Sequence, residues 1–141
     1  MNEQEARRRL AEARVARLAT ADLQGRPHVV PICFALDGDR LYSAVDHKQK
    51  RRPELRRLDN LRANPSASVL ADHYDEDWSR LWWVRADGTA AILDPDDDRV
   101  SEERGRAIAL LVEKYEQYVG RAPGGAVISL AVRSWRSWAP Q

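Results

Sequence analysis

Apolar residues at every second position mark the first part of this chain. Val30, Ile32, Phe34 and Leu36 fall on one face of an extended segment, which predicts a strand over His28 to Leu36. Val15 to Ala21 reads as the strand before it, joined by the turn Asp22-Leu23-Gln24-Gly25. Asp37-Gly38-Asp39 is a hairpin signal, and Leu41 to Val45 is the returning strand. Short turns between successive strands predict an antiparallel meander. Ser66 to Ala71 and Leu81 to Leu93 add two strands, with Gly88 marking a bend or bulge in the longer one. Ala126 to Val132 follows Gly124-Gly125 as the last strand.

Helical spacing interrupts this pattern three times. Ala6, Leu10 and Ala13 share one side of a helix over Glu3 to Ala13. Leu55, Leu58 and Leu61 form a stripe over Pro53 to Ala63. Proline suits the first helical position, and Asn64-Pro65 ends the segment because a residue before proline avoids helical backbone. A third helix starts from the acidic segment Asp94 to Asp98 and runs to about Val119, burying Ile108, Leu111, Val112 and Tyr115. The sum is a mainly β (α+β) fold. The pattern predicts a small, mostly antiparallel barrel of six or so strands with two or three helices, a single domain over residues 1–141.

Composition narrows the setting. No run approaches the roughly 18 apolar residues of a membrane span. Met1 to Arg9 is polar and is no signal peptide. With the lone Cys33, read as a buried small hydrophobe, this points to a cytoplasmic protein without internal disulfides. A net charge of +1 gives no general pull toward nucleic acid.

Against that neutral balance, seven of the fifteen residues from Lys48 to Arg62 are cationic. The run joins a strand to a helix, and Lys50 to Arg52 stand just before the helix start. Unpaired N–H groups and the positive dipole end of a helix add to such cations to hold an anion, most often phosphate. The alternative is a solvated helix face. No aromatic residues are interleaved for base stacking, which disfavours nucleic acid.

Pro31 in mid-strand removes a ladder hydrogen bond. It marks an edge strand or bulge, or a backbone that faces a planar ligand. Adjacent Trp82 and Trp83 must point to opposite faces of their strand. One faces outward, as an interface anchor or beneath the third helix. His28, His47 and His73 lack metal-ligand spacing and read as surface or hydrogen-bonded histidines. The aspartates from Asp94 to Asp98 read as helix caps rather than a calcium loop. Walker, GxGxxG and nucleophile-elbow motifs are all absent.

The ordered set LATADLQGRPHVVPICFALDGDRLY, the basic loop, and LRRLDNLRANPSASVLADHYDEDWSRLWWVRADGTAAIL resembles the pyridoxamine-phosphate-oxidase-like split β-barrel superfamily. Within it the chain is most similar to the actinobacterial flavin/deazaflavin oxidoreductases that use coenzyme F420. The resemblance runs from about Arg14 to Trp138. The NLRxxP helix end is present as Asn60 to Pro65, whereas the family's DGRP turn is here Gln24-Gly25-Arg26-Pro27.

The resemblance specifies the barrel as a six-or-so-stranded antiparallel split β-barrel. It implies a homodimer with two cofactor sites at the subunit interface. The phosphate-binding positions correspond to Lys50, Arg51 and Arg57, with Lys48 and Arg56 as secondary positions. The ring contacts correspond to Val30, Pro31, Ile32, Cys33, Tyr42, Ser43 and Ala44, with Thr20 nearby. Trp78 corresponds to an aromatic residue at the dimer contact, and Trp135 and Trp138 lie in a segment that approaches the cofactor in relatives.

The expected activity is hydride transfer from a reduced deazaflavin to a small organic acceptor. Tyr42 or a water is available as proton donor. The cofactor supplies the chemistry and the protein supplies binding, orientation and exclusion of water. Three alternatives stand beside it: an FMN-binding oxidoreductase, a non-enzymatic flavin or haem/tetrapyrrole carrier with a histidine axial ligand, and a dimerisation module without cofactor.

Overall fold

The computed structural model describes residues 1–45 and 52–141, and the side chains of residues 52–55 lie outside that description. Helix α1 (Glu3–Glu12) is capped by Asn2, whose side chain accepts from the Glu5 N–H at 2.8 Å. Then come β1 (Ala16–Ala21), β2 (Pro27–Ile32), β3 (Ala35–Asp37), β4 (Arg40–Ala44), α2 (Arg52–Ala63), β5 (Ser66–His73), β6 (Trp82–Leu93), α3 (Ser101–Lys114) and β7 (Val127–Trp138).

The seven strands form one antiparallel sheet in the order β2-β1-β5-β6-β7-β4-β3. A simple meander does not describe it, because β2 and β3 lie at opposite ends of the sheet. Only Cys33 and Phe34 separate them in the chain. Six strand spacings of a flat sheet would hold those ends about 29 Å apart. The linking backbone can span only about 11 Å. The sheet therefore curls into a split barrel, and Phe34 fills its interior at 0% exposure.

The expected single strand His28 to Leu36 is thus two strands. The alternation persists because the chain keeps its direction while its ladder partner changes, from β1 to β4. Cys33, expected to be buried, is exposed at this crossover. The backbone there has no ladder partner, and Tyr115 supplies one. Its hydroxyl accepts from the Phe34 N–H at 3.0 Å and faces the carbonyls of Arg14 and Phe34 at 2.9 and 3.1 Å.

Other boundaries move for equally physical reasons. The third helix starts at Ser101 instead of the acidic segment, where Asp97 caps a short 3-10 turn, Asp98–Val100. It ends at Lys114 instead of near Val119, because Tyr115 leaves helical backbone to reach the crossover. Ala107, Leu111 and Tyr115 are buried beneath it, whereas Ile108 and Val112 are half-buried. Strand β7 continues six residues past the expected Val132, pairing Trp138 with Trp83. A bulge at Asp87/Gly88 lets β6 follow it, and a Cβ on Gly88 would lie 2.0 Å from the Ala131 carbonyl oxygen.

Candidate functional site

One end of the β1–β2 hairpin gathers several polar groups, most of them buried. Thr20 and His28 are register partners, so their side chains share a face. Leu18, two residues before Thr20, lies in the core cluster, which fixes that face as the barrel side. Helix α2 crosses this end. Its Leu58 and Leu61 join the same core, and its Asn60 donates from Nδ2 to Thr20 Oγ1 at 3.0 Å. Thr20, Asn60 and Arg57 are all buried, Arg57 with 8% exposure, while Arg56 is exposed.

Arg56 and Arg57 act on His28. Burial pushes the imidazole below its ordinary proton affinity, and the two guanidinium charges push it further the same way. His28 is therefore neutral at physiological pH. Its Nδ1 is buried with no hydrogen-bond partner among the described residues. Sequence reasoning set His28 aside for want of metal-ligand spacing. The signal that could have found it is its place opposite Thr20 at a hairpin end facing the basic helix.

A groove of about 450 Å³ adjoins this end, lined by Ala19, Thr20, Pro27, Ser66, Ser68 and Asp87 among others. Asp87 is fixed there by Ser68 Oγ at 2.6 Å and Arg85 Nε at 2.9 Å. Burial pushes its carboxyl up, but these hydrogen bonds and the charges of Arg85 and Arg136 outweigh it and hold the group below the usual carboxylate range.

The other expected site residues scatter over the barrel. Lys48, Lys50 and Arg51 lie outside the described residues. Val30 and Ile32 face the core, whereas Pro31 is exposed on β2, which among the described residues pairs with β1 alone and is the sheet edge that proline tolerates. Ser43 is buried. Tyr42 and Ala44 stand on the sheet face packed under α3. Tyr42 donates its hydroxyl to Glu103 at 2.9 Å, and Glu103 also accepts from Ser129 at 3.1 Å. Burial and that carboxylate push the Tyr42 phenol up to about 12, which makes it a poor proton donor near neutral pH.

The aromatic residues divide by position. Trp78 lies in a short 3-10 turn, Trp78–Arg80, and is 73% exposed. Trp82 packs against the core with the Arg9 guanidinium of α1 5.4 Å above its ring, so the first helix covers it, not the third. Trp135 also packs against the core, beneath Arg7 of α1 at 4.7 Å. Trp83 and Trp138 are register partners on the opposite sheet face. His73 is bonded to Asp75 at 2.8 Å. Among the described residues no cluster of His, Cys, Asp or Glu could hold a metal ion, and no helix is long and apolar enough to cross a membrane.

A curled seven-stranded antiparallel sheet with α2 across one end defines a split-barrel protein. The chain belongs to the pyridoxamine 5'-phosphate oxidase family, whose profile matches residues 3–139. No curated protein matches it. Among solved structures it is similar to a conserved hypothetical protein of Mycobacterium tuberculosis, with TM-score 0.76, 22% identity, and coverage of 99% of this chain and 85% of that one. An FAD-binding protein of Mesorhizobium loti gives TM-score 0.71 and 24% identity, covering 97% and 94%. The haem storage protein HutZ of Vibrio cholerae gives TM-score 0.71 and 19% identity, covering 97% and 93%. At these identities the likeness is one of fold.

Proposed function

We propose that this protein is a coenzyme F420-dependent oxidoreductase. In this reading a single-domain chain forms a homodimer and binds the reduced deazaflavin at the subunit interface. The bound cofactor supplies a hydride for a small organic acceptor. The observation that carries the reading is the convergence of Arg56 and Arg57 on the hairpin end that holds Thr20 and His28. A buried arginine fits a phosphate through its planar fork of donors. In the sequence Lys48, Lys50 and Arg51 directly precede α2, whose first residue is Arg52, and such a run of cations suits a long acidic cofactor tail.

The dimer has a matching surface. Trp138 on the outer sheet face is 49% exposed beside its half-buried register partner Trp83, which leaves apolar area for a second copy to cover. Trp78 then contributes to the partner's site. The residues of this chain bind and orient the ring and exclude water from it.

FMN in place of the deazaflavin uses the same cations for its single phosphate. A haem-binding role has one observation in its favour: the neutral His28 imidazole, bonded to no described residue, is available as an axial ligand. The similarity to HutZ and to a haem-binding protein from Mycobacterium smegmatis bears on that reading.

Parallel fluorescence titrations with F420 and FMN, with a haem absorbance titration alongside, test these readings. Saturable F420 binding with much weaker FMN binding is the expected result. FMN preference moves the protein to the flavin branch, and a haem Soret shift lost in His28→Gln moves it to haem. Binding of none of the three overturns the oxidoreductase reading.

A further inference from the structure

Resting on the phosphate site just proposed, we infer that His28 is part of it and takes up a proton when the anion binds, which makes cofactor binding proton-coupled. The geometry carries this. His28 stands opposite Thr20 at the hairpin end crossed by α2, where Asn60 anchors the helix to Thr20. No hydrogen bond from any described residue reaches its buried Nδ1, so the ring keeps its capacity for a ligand. An orphaned polar atom next to two arginines is costly in the free protein and useful in the bound one.

The charges around the ring determine the direction of the coupling. From α2, Arg56 and Arg57 oppose its protonation. On its own hairpin, Arg26 is paired with Asp22 at 2.7 Å at the tip, and β1 contributes the uncharged Thr20. A dianion seated on the two arginines cancels their field. The same imidazole then gains a proton and donates a charge-assisted hydrogen bond. By linkage, a proton taken up on binding makes the anion bind more tightly as pH falls toward the free-state His28 value.

Sulfate is the probe, because it stays a dianion across the range where histidine titrates. Titrations run at constant ionic strength from pH 5 to 8, with the histidine ring protons followed by NMR. His28→Gln identifies the His28 signal among three histidines. Three results are expected. Sulfate raises the His28 midpoint by about one unit or more, and sulfate binds about tenfold more tightly at low than at high pH. The His28→Gln variant binds with no such pH dependence. Arg56→Gln, at an exposed position, raises the His28 midpoint without sulfate.

Sulfate and F420 binding that leaves the His28 midpoint in place, with unaltered pH dependence in His28→Gln, overturns the inference and keeps the phosphate site. Absence of both sulfate and F420 binding overturns the phosphate site, and this inference with it.

Discussion

The hydroxyl of Tyr115 accepts a hydrogen bond from the Phe34 N–H at 3.0 Å, linking the end of α3 to the two-residue crossover that closes the barrel. Phe34 is fully buried and Tyr115 is 5% exposed, so water cannot replace this partner. Tyr115→Phe keeps the ring and removes only the oxygen. It leaves a buried N–H unsatisfied, for a cost of about 1–3 kcal/mol. Urea unfolding checks this, with a lower midpoint and an unchanged slope as the expected pattern.

Gly88→Ala is expected to be costly for a different reason. The added Cβ would meet backbone, the Ala131 carbonyl oxygen at 2.0 Å, and a backbone atom cannot swing aside as a side chain can. The β6–β7 pairing must open locally, at about 1–3 kcal/mol or more. Thermal unfolding of the variant should be clearly lowered. A melting point equal to that of the parent would refute the bulge.

Much of this architecture was legible in the sequence, and the misses have identifiable causes. Period-two alternation located the strands, and Gly88 announced its bulge. Alternation cannot reveal a change of ladder partner, so Ile32 and Ala35 looked like one strand although they pair with opposite ends of the sheet. Cys33 looked buried for the same reason. The basic helix was visible as charge, and Arg57 was named from family resemblance. His28 was not, because its environment comes from Thr20 across a hairpin and from α2, a segment that begins more than twenty residues later. Tyr42 looked like a ring contact on resemblance alone, while its hydroxyl is committed to Glu103 on α3, a contact no local pattern encodes.

Two titrations should shape stability at alkaline pH. The Lys114 ammonium lies 3.8 Å from the Phe34 ring centroid with no hydrogen-bond partner among the described residues. Burial and then the Arg14 charge push it down to about 8, against a smaller opposing effect of Cys33. Between about 8 and its ordinary 10.5 the unfolded chain binds more protons there, so stability rises with pH in that window. Tyr42 acts in the opposite sense. Its phenol is raised from 10.0 to about 12, its contribution is intact below 10.0, and it is lost as pH climbs through about 12. Lys114→Met should raise the melting temperature at pH 7 and flatten the first limb. Tyr42→Phe should flatten the second. A pH–stability curve identical in parent and variants would refute both assignments.

Arg57 gives the most direct test of the site. Its side chain is buried on α2, one turn before the Asn60 that bonds Thr20, and the proposed function puts the cofactor phosphate at this end of the hairpin. Arg57→Ala should weaken deazaflavin binding by about 1.5–3 kcal/mol, the range for hydrogen bonds to a charged group. That corresponds to roughly 10- to 150-fold in Kd. Arg57→Lys keeps the charge but not the fork, and should recover only part of the loss. Because Arg57 is buried, each variant's unfolding midpoint must be measured beside its affinity. Weaker binding in a variant that remains folded at the assay temperature assigns the effect to the site. Unchanged affinity in Arg57→Ala would remove the residue from the site and leave the cations ahead of α2 to hold the phosphate alone.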